Sequence, residues 1–169
     1  MANRSQLPRS TEDRLSVIDA LAVRPYPVDG ERRTEDGGWS GPGHHVAVLA
    51  ESRDFWDDRD EELVEAAEQE TAAAALAALA EVLTGRWGAP ETVDLWPYLG
   101  LDAPDADVAA PEPLLFLSGV AGSMQVWRPD GWGRWIALAV GQADPEWPFQ
   151  LLAAFGEETA PAPGDDPPR

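Results

Sequence analysis

Cysteine is absent from the 169-residue sequence, which excludes disulfides, thiolate catalysis and cysteine-ligated zinc. Lysine is absent as well, so all positive charge on side chains comes from arginine and no P-loop lysine is there to meet a phosphate. With abundant alanine, this resembles the coding bias of a GC-rich bacterial genome, and a bacterial source is expected. No apolar run approaches the ~20 residues needed to cross a bilayer. The opening "MANRSQLPRSTEDR" has no apolar core of the signal-peptide kind, so a cytoplasmic protein is expected. Positive charge is scarce: 12 basic residues against 31 acidic ones give −19 at pH 7. That field repels phosphate backbones and anionic membrane surfaces, so neither nucleic acid nor membrane is an expected partner. It attracts basic proteins, over a Debye length of roughly 8 Å at physiological salt.

What is present suits a single folded domain: the length allows one real core, and 44% of the residues are hydrophobic. "STEDRLSVIDALAV" places Leu15, Ile18, Leu21 and Ala22 at helical spacing behind Ser10 and Asp13, predicting a short amphipathic helix over Thr11–Val23. The proline- and glycine-rich stretch that follows reads as irregular, with one edge strand at Tyr26–Val28. "HHVAVLAES" reads as a strand inside a sheet, Val46 and Val48 on one face, Ala47 and Leu49 on the other. A long alanine-rich helix is expected from Asp58 to Leu83, about 40 Å in length. Acids crowd its first turn, Gly85 stands where a left-handed cap belongs, and Leu63, Ala67, Ala75, Leu79 and Val82 form its apolar stripe.

Beyond a proline-broken acidic stretch with a short strand or helical turn at Val93–Trp96, the pattern becomes sheet-like. Segments at Leu114–Leu117, Met124–Arg128, Arg134–Val140 and Phe149–Phe155 predict an antiparallel meander. The expected fold class is α+β: an antiparallel sheet of about five strands, one long helix packed on a face, and a shorter N-terminal helix. Residues 1–10 are expected to be flexible, 11–156 to form the domain, and 157–169 to be a disordered acidic, proline-rich tail.

Tryptophan is the one enriched aromatic, with eight residues against two tyrosines and four phenylalanines. If Pro129–Gly133 closes a hairpin with Arg128 opposite Arg134, then Trp127 faces Trp135 and both share a face with Gln125, Ala137 and Ala139. Met124, Val126, Ile136, Leu138 and Val140 then form the core face, and the face with the two indoles either seats the alanine-rich helix or is an open surface. Trp132 lies at the hairpin tip between two glycines, a place from which it can anchor a partner; Trp39 and Trp147 stand in similar turn-like contexts.

Motifs of catalysis are weak. "DFWDDRDEE" carries many carboxylates but lacks the turn glycine of a calcium loop, and helix capping already accounts for acids there. "DAPDAD" reads as an acidic loop. His44 and His45, as neighbours on a strand, point to opposite faces and cannot jointly chelate an ion, and neither has a partner close in sequence. "SGVAGS" matches neither a nucleophile elbow nor a P-loop and reads as a turn. Asp144 and Glu146 make an ordinary turn pair.

The expectation is therefore a non-enzymatic, acidic protein-binding module without a cofactor or metal, similar in kind to an immunity or antitoxin-like inhibitor of a basic protein. Asp57, Asp58, Asp60 and Glu61 would steer the partner, with Trp132, and Trp127 or Trp135 where uncovered, as anchors. Two alternatives stand beside it: a small-molecule-binding or enzymatic domain with a pocket between sheet and long helix, and a structural or adaptor subunit of a larger assembly.

Overall fold

The computed structural model, which describes residues 10–33, 38–57, 59–95, 113–131 and 133–157, is organised around its strands. Seven of them form one antiparallel sheet: β1 (Arg32–Arg33), β2 (Trp39–Gly41), β3 (His44–Glu51), β4 (Glu91–Asp94), β5 (Ser123–Trp127), β6 (Arg134–Gly141) and β7 (Gln150–Glu157). Their order is β1-β2-β3-β7-β6-β5-β4, so β7 lies between β3 and β6. The expected meander is β5-β6-β7, and two short strands at one end and one at the other raise the count above five. The edge strand is Arg32–Arg33, while Tyr26–Val28 is irregular chain.

Helix α1 (Thr11–Val23) has the predicted bounds, with the Ser10 side chain accepting from the Asp13 amide. The long helix, expected over Asp58–Leu83, begins later, at Glu61, and ends later, at Trp87. It comprises α2 (Glu61–Gln69), a widened π-helical stretch (Glu70–Leu76) and α3 (Ala77–Trp87). Asp60 caps its start by accepting from the Glu62 amide. Gly85, expected as the cap, lies inside the helix; the terminating glycine is Gly88, with φ 90° and its amide bonded to the Thr84 carbonyl. At the widened turn the buried Thr71 hydroxyl donates to the Ala67 carbonyl 3.0 Å away, a back-bond that competes with the regular ladder.

One segment changes class. Leu114–Leu117, read as a strand, belongs to helix α4 (Leu114–Val120), and "SGVAGS" forms the end of that helix and the entry to β5. A four-residue apolar run carries no periodicity that separates a strand from a helical turn. The third helix matters because it closes the second face. On one face α1 and α3 bring Ile18, Leu21, Leu79 and Leu83 onto Leu49, Ile136, Leu138, Leu151 and Phe155. On the other, α4 sets Leu114 and Leu117 against Val46, Val48, Met124, Val126, Leu152 and Trp135. Apolar residues on both sides of β3, β6 and β7 follow from that double cover. In β3 the alternation holds as expected until a bulge between Val48 and Ala50.

The β5–β6 register differs by one residue from the hairpin expected from sequence: Trp127 pairs with Ile136, Val126 with Ala137 and Gln125 with Leu138. Gly131 and Gly133, at φ 78° and 66°, hold left-handed backbone that glycine adopts without a Cβ clash. Because side chains alternate, the slip moves whole sets between faces. Trp127 lies with Ile136 and Leu138 under α3, whereas Trp135 lies with Met124, Val126, Ala137 and Ala139 under α4. The two indoles do not share a face.

Candidate functional site

Two regions collect polar or aromatic groups in an arrangement that a simple core does not need. The first lies beside the C-terminus of α1. His45 is buried, and its Nδ1 is 2.5 Å from the Ser40 hydroxyl across the β2–β3 hairpin, while its Nε2 is 3.0 Å from the Arg24 carbonyl. The carbonyl can only accept, so Nε2 carries the proton and Nδ1 accepts from Ser40. The ring stacks obliquely on Tyr26 at 4.6 Å. Arg134 lies 4.1 Å over the other aromatic system of this group, the Tyr26 ring, and donates to the Leu21 carbonyl at the end of α1, where a cation complements the helix dipole.

Burial holds the His45 pKa below its ordinary value, with the Arg24 carbonyl opposing that shift. Burial also pushes the Tyr26 hydroxyl up to about 12. His45 thus has a near-sequence partner after all, five residues earlier, brought opposite by a tight hairpin. With both ring nitrogens engaged and no exposed area, the imidazole acts as a tie between the hairpin and the chain leaving α1. His44 faces the other way, its Nδ1 3.2 Å from the Pro42 carbonyl. Among the described residues no group of three or more histidines, aspartates and glutamates is placed to hold a metal ion.

The second region is built from two loops. The segment after β3 and the β6–β7 connection are stitched by backbone bonds: the Ser52 amide to the Phe149 carbonyl at 2.8 Å, and the Phe55 amide to the Glu146 carbonyl at 2.9 Å. The Ser52 hydroxyl in turn accepts from the Phe149 amide. Beneath them Phe55 and Phe149 meet edge to face at 5.9 Å over Ala67, a small core separate from the two sheet faces. Above them Trp56 and Trp147 lie outward, ring centroids 6.3 Å apart and planes inclined at 54°, with 58% and 45% of their surfaces exposed. The described charged residues of these two loops are Arg53, Asp54, Asp57, Arg59, Asp60, Asp144 and Glu146, all exposed, and the first turn of α2 adds Glu61 and Glu62.

The anchors expected from sequence are distributed differently. Trp127 and Trp135 are each only 2% exposed and are core residues. The Trp127 indole N–H donates to the Gly88 carbonyl, tying β5 to the end of α3, and the Trp135 ring lies across Gly156. Trp39 is half-buried edge-on to Phe116. Trp132 and Asp58 lie outside the described residues. Asp57, Asp60 and Glu61 are exposed, and Asp60 also serves as the helix cap. Trp56 was hidden in sequence by its charged neighbours; the signal available was "DFWDD", in which a buried-type aromatic directly precedes a second one in a loop.

Two recesses open on the surface of the described residues. One of about 480 Å³ is lined by Arg24, Tyr26, Val28, Arg32 and Ser40. Another, of about 440 Å³, lies between α3 and β5, where Leu76, Ala80, Thr84 and Gln125 line it. Both are shallow and open. No helix among the described residues is long and apolar enough to cross a membrane. The chain matches no known family model, and neither the curated proteins nor the solved structures contain a significant match to it.

Proposed function

We propose that the protein is a non-enzymatic, acidic protein-binding module that covers a basic partner protein, in the manner of an immunity or antitoxin-like inhibitor. The observation that carries this reading is the exposed Trp56–Trp147 pair, seated on a hydrogen-bonded platform of two loops whose described charged residues are five acids and two arginines. Carboxylates before and within the first turn of α2, Asp57, Asp60 and Glu61, steer a cationic surface from a distance, while aromatic side chains supply the short-range energy. Small-molecule sites enclose most of their ligand, whereas both recesses here are open.

The test is affinity capture with the intact chain, followed by binding of the captured basic protein at rising salt. Tight binding with an association rate that falls steeply with ionic strength supports the reading; a salt-insensitive association rate, or capture of acidic proteins only, refutes it. A second reading, a small-molecule site in the recess between α3 and β5, is favoured by the Gln125 Oε1 atom, buried there without a hydrogen-bond partner. A Gln125→Leu variant that binds the partner normally separates the two.

A further inference from the structure

The geometry points to Trp56 and Trp147 as an aromatic clasp for a single arginine or lysine side chain of the basic partner; this rests on the protein-binding reading above and specifies its central contact. Two indoles left this open are unusual in a chain that seals Trp127 and Trp135 at 2% exposure. Their ring planes, inclined at 54° with centroids 6.3 Å apart, form an open V, and about half of each residue's surface is exposed. A cation placed there comes within the roughly 6 Å at which the ring quadrupole attracts it, and it meets two rings at once.

The surrounding charge selects the same occupant. Asp57 follows Trp56 directly, Glu146 precedes Trp147, and Asp144 accepts the Trp147 amide through its carbonyl. An apolar side chain in the V would strip water from these carboxylates without compensation, whereas a cation offsets that loss. The clasp is also preformed. The Phe55–Phe149 contact and the two inter-loop backbone bonds hold both loops before any partner arrives, which lowers the ordering cost of binding. An open V retains a free small cation poorly, so the occupant is a side chain held by a wider interface.

The experiment titrates the intact protein with hexa-arginine peptide at low salt and follows tryptophan fluorescence, with hexa-glutamate as control. Wild type, Trp56→Leu, Trp147→Leu and the double variant are compared, leucine keeping apolar area while removing the π-face. Each single variant is expected to weaken hexa-arginine binding about fivefold, with an unchanged urea midpoint, as befits exposed side chains. Trp147→Phe is expected to recover part of the loss. Equal affinity in wild type and the double variant overturns the clasp while leaving the acidic-module reading intact; no binding of hexa-arginine by the wild type overturns both.

Discussion

Replacing Gly156 with alanine probes the packing that seals one of the sequence's most prominent tryptophans. Gly156 stands on β7 between His44 of β3 and Trp135 of β6, and the Trp135 ring lies flat across it. An added Cβ would stand 2.6 Å from the indole nitrogen and closer still to two neighbouring ring carbons, where ordinary contact begins near 3.4 Å. Neither side can give way easily: the ring is enclosed by the α4-side core, and the strand is hydrogen-bonded on both edges. The cost should fall toward the upper end of the ~1–3 kcal/mol typical of overpacked cores. For a domain of this size that lowers Tm by roughly 6–10 °C. Urea unfolding followed by circular dichroism measures it. The decisive comparison is the Trp135→Leu background, which removes the clashing atoms at an independent cost of about 2–4 kcal/mol. There, Gly156→Ala should cost less than about 1 kcal/mol, alanine being the better strand residue. Equal costs in the two backgrounds, within about 0.5 kcal/mol, would refute the reasoning, because residues in contact must show coupling.

Three further outcomes are expected. Gly85→Ala, at an exposed helical position with open space around the new methyl, should stabilise the protein by about 0.5–1 kcal/mol, whereas Gly88→Ala, forced to hold φ 90°, should destabilise it; the reverse pair in thermal melts would place the end of the long helix at Gly85. His45 has a folded-state pKa below its unfolded value, so its contribution is complete above about pH 6.5 and is lost as pH falls from there through the folded-state pKa. Between pH 7.5 and 5.5 (~2 units around that value) the urea midpoint of the wild type should decline more than that of His45→Gln; parallel declines would assign the effect to other groups. Trp127→Phe, which removes the donor to the Gly88 carbonyl, should cost about 1–2 kcal/mol while far-ultraviolet dichroism stays native, and an unchanged urea midpoint would dismiss that bond as a tie between β5 and α3.

The parts of the fold legible in sequence are those whose pattern is both long and redundant. Helix α1 combines a capping serine with helical spacing, and β3, β6 and β7 each carry enough apolar residues for a strand buried on two sides. Helix α4 was illegible because "LLFL" satisfies either geometry and only the packing against Val46 and Met124 decides. Gly85 drew the predicted helix end forward because it is the first glycine after the apolar stripe, although Trp87, half-buried on the α1–α3 side, keeps the helix going another turn. Register was lost through a single residue in a connection with two left-handed glycines, and with it the placement of both indoles. The exposed pair at Trp56 and Trp147 joins positions 91 residues apart, and no local pattern links them until the two loops are stitched together.

The outermost strands are very short: two residues at β1, both arginine, and four at β4, of which Glu91, Thr92 and Asp94 are exposed. A sheet whose interior strands are apolar on both sides would otherwise be a template for stacking copy upon copy. Here each rim offers little backbone to a newcomer and repels a like rim by its own charge, so copies are kept from joining β1 to β1 or β4 to β4 while the interior stays as sticky as its stability requires.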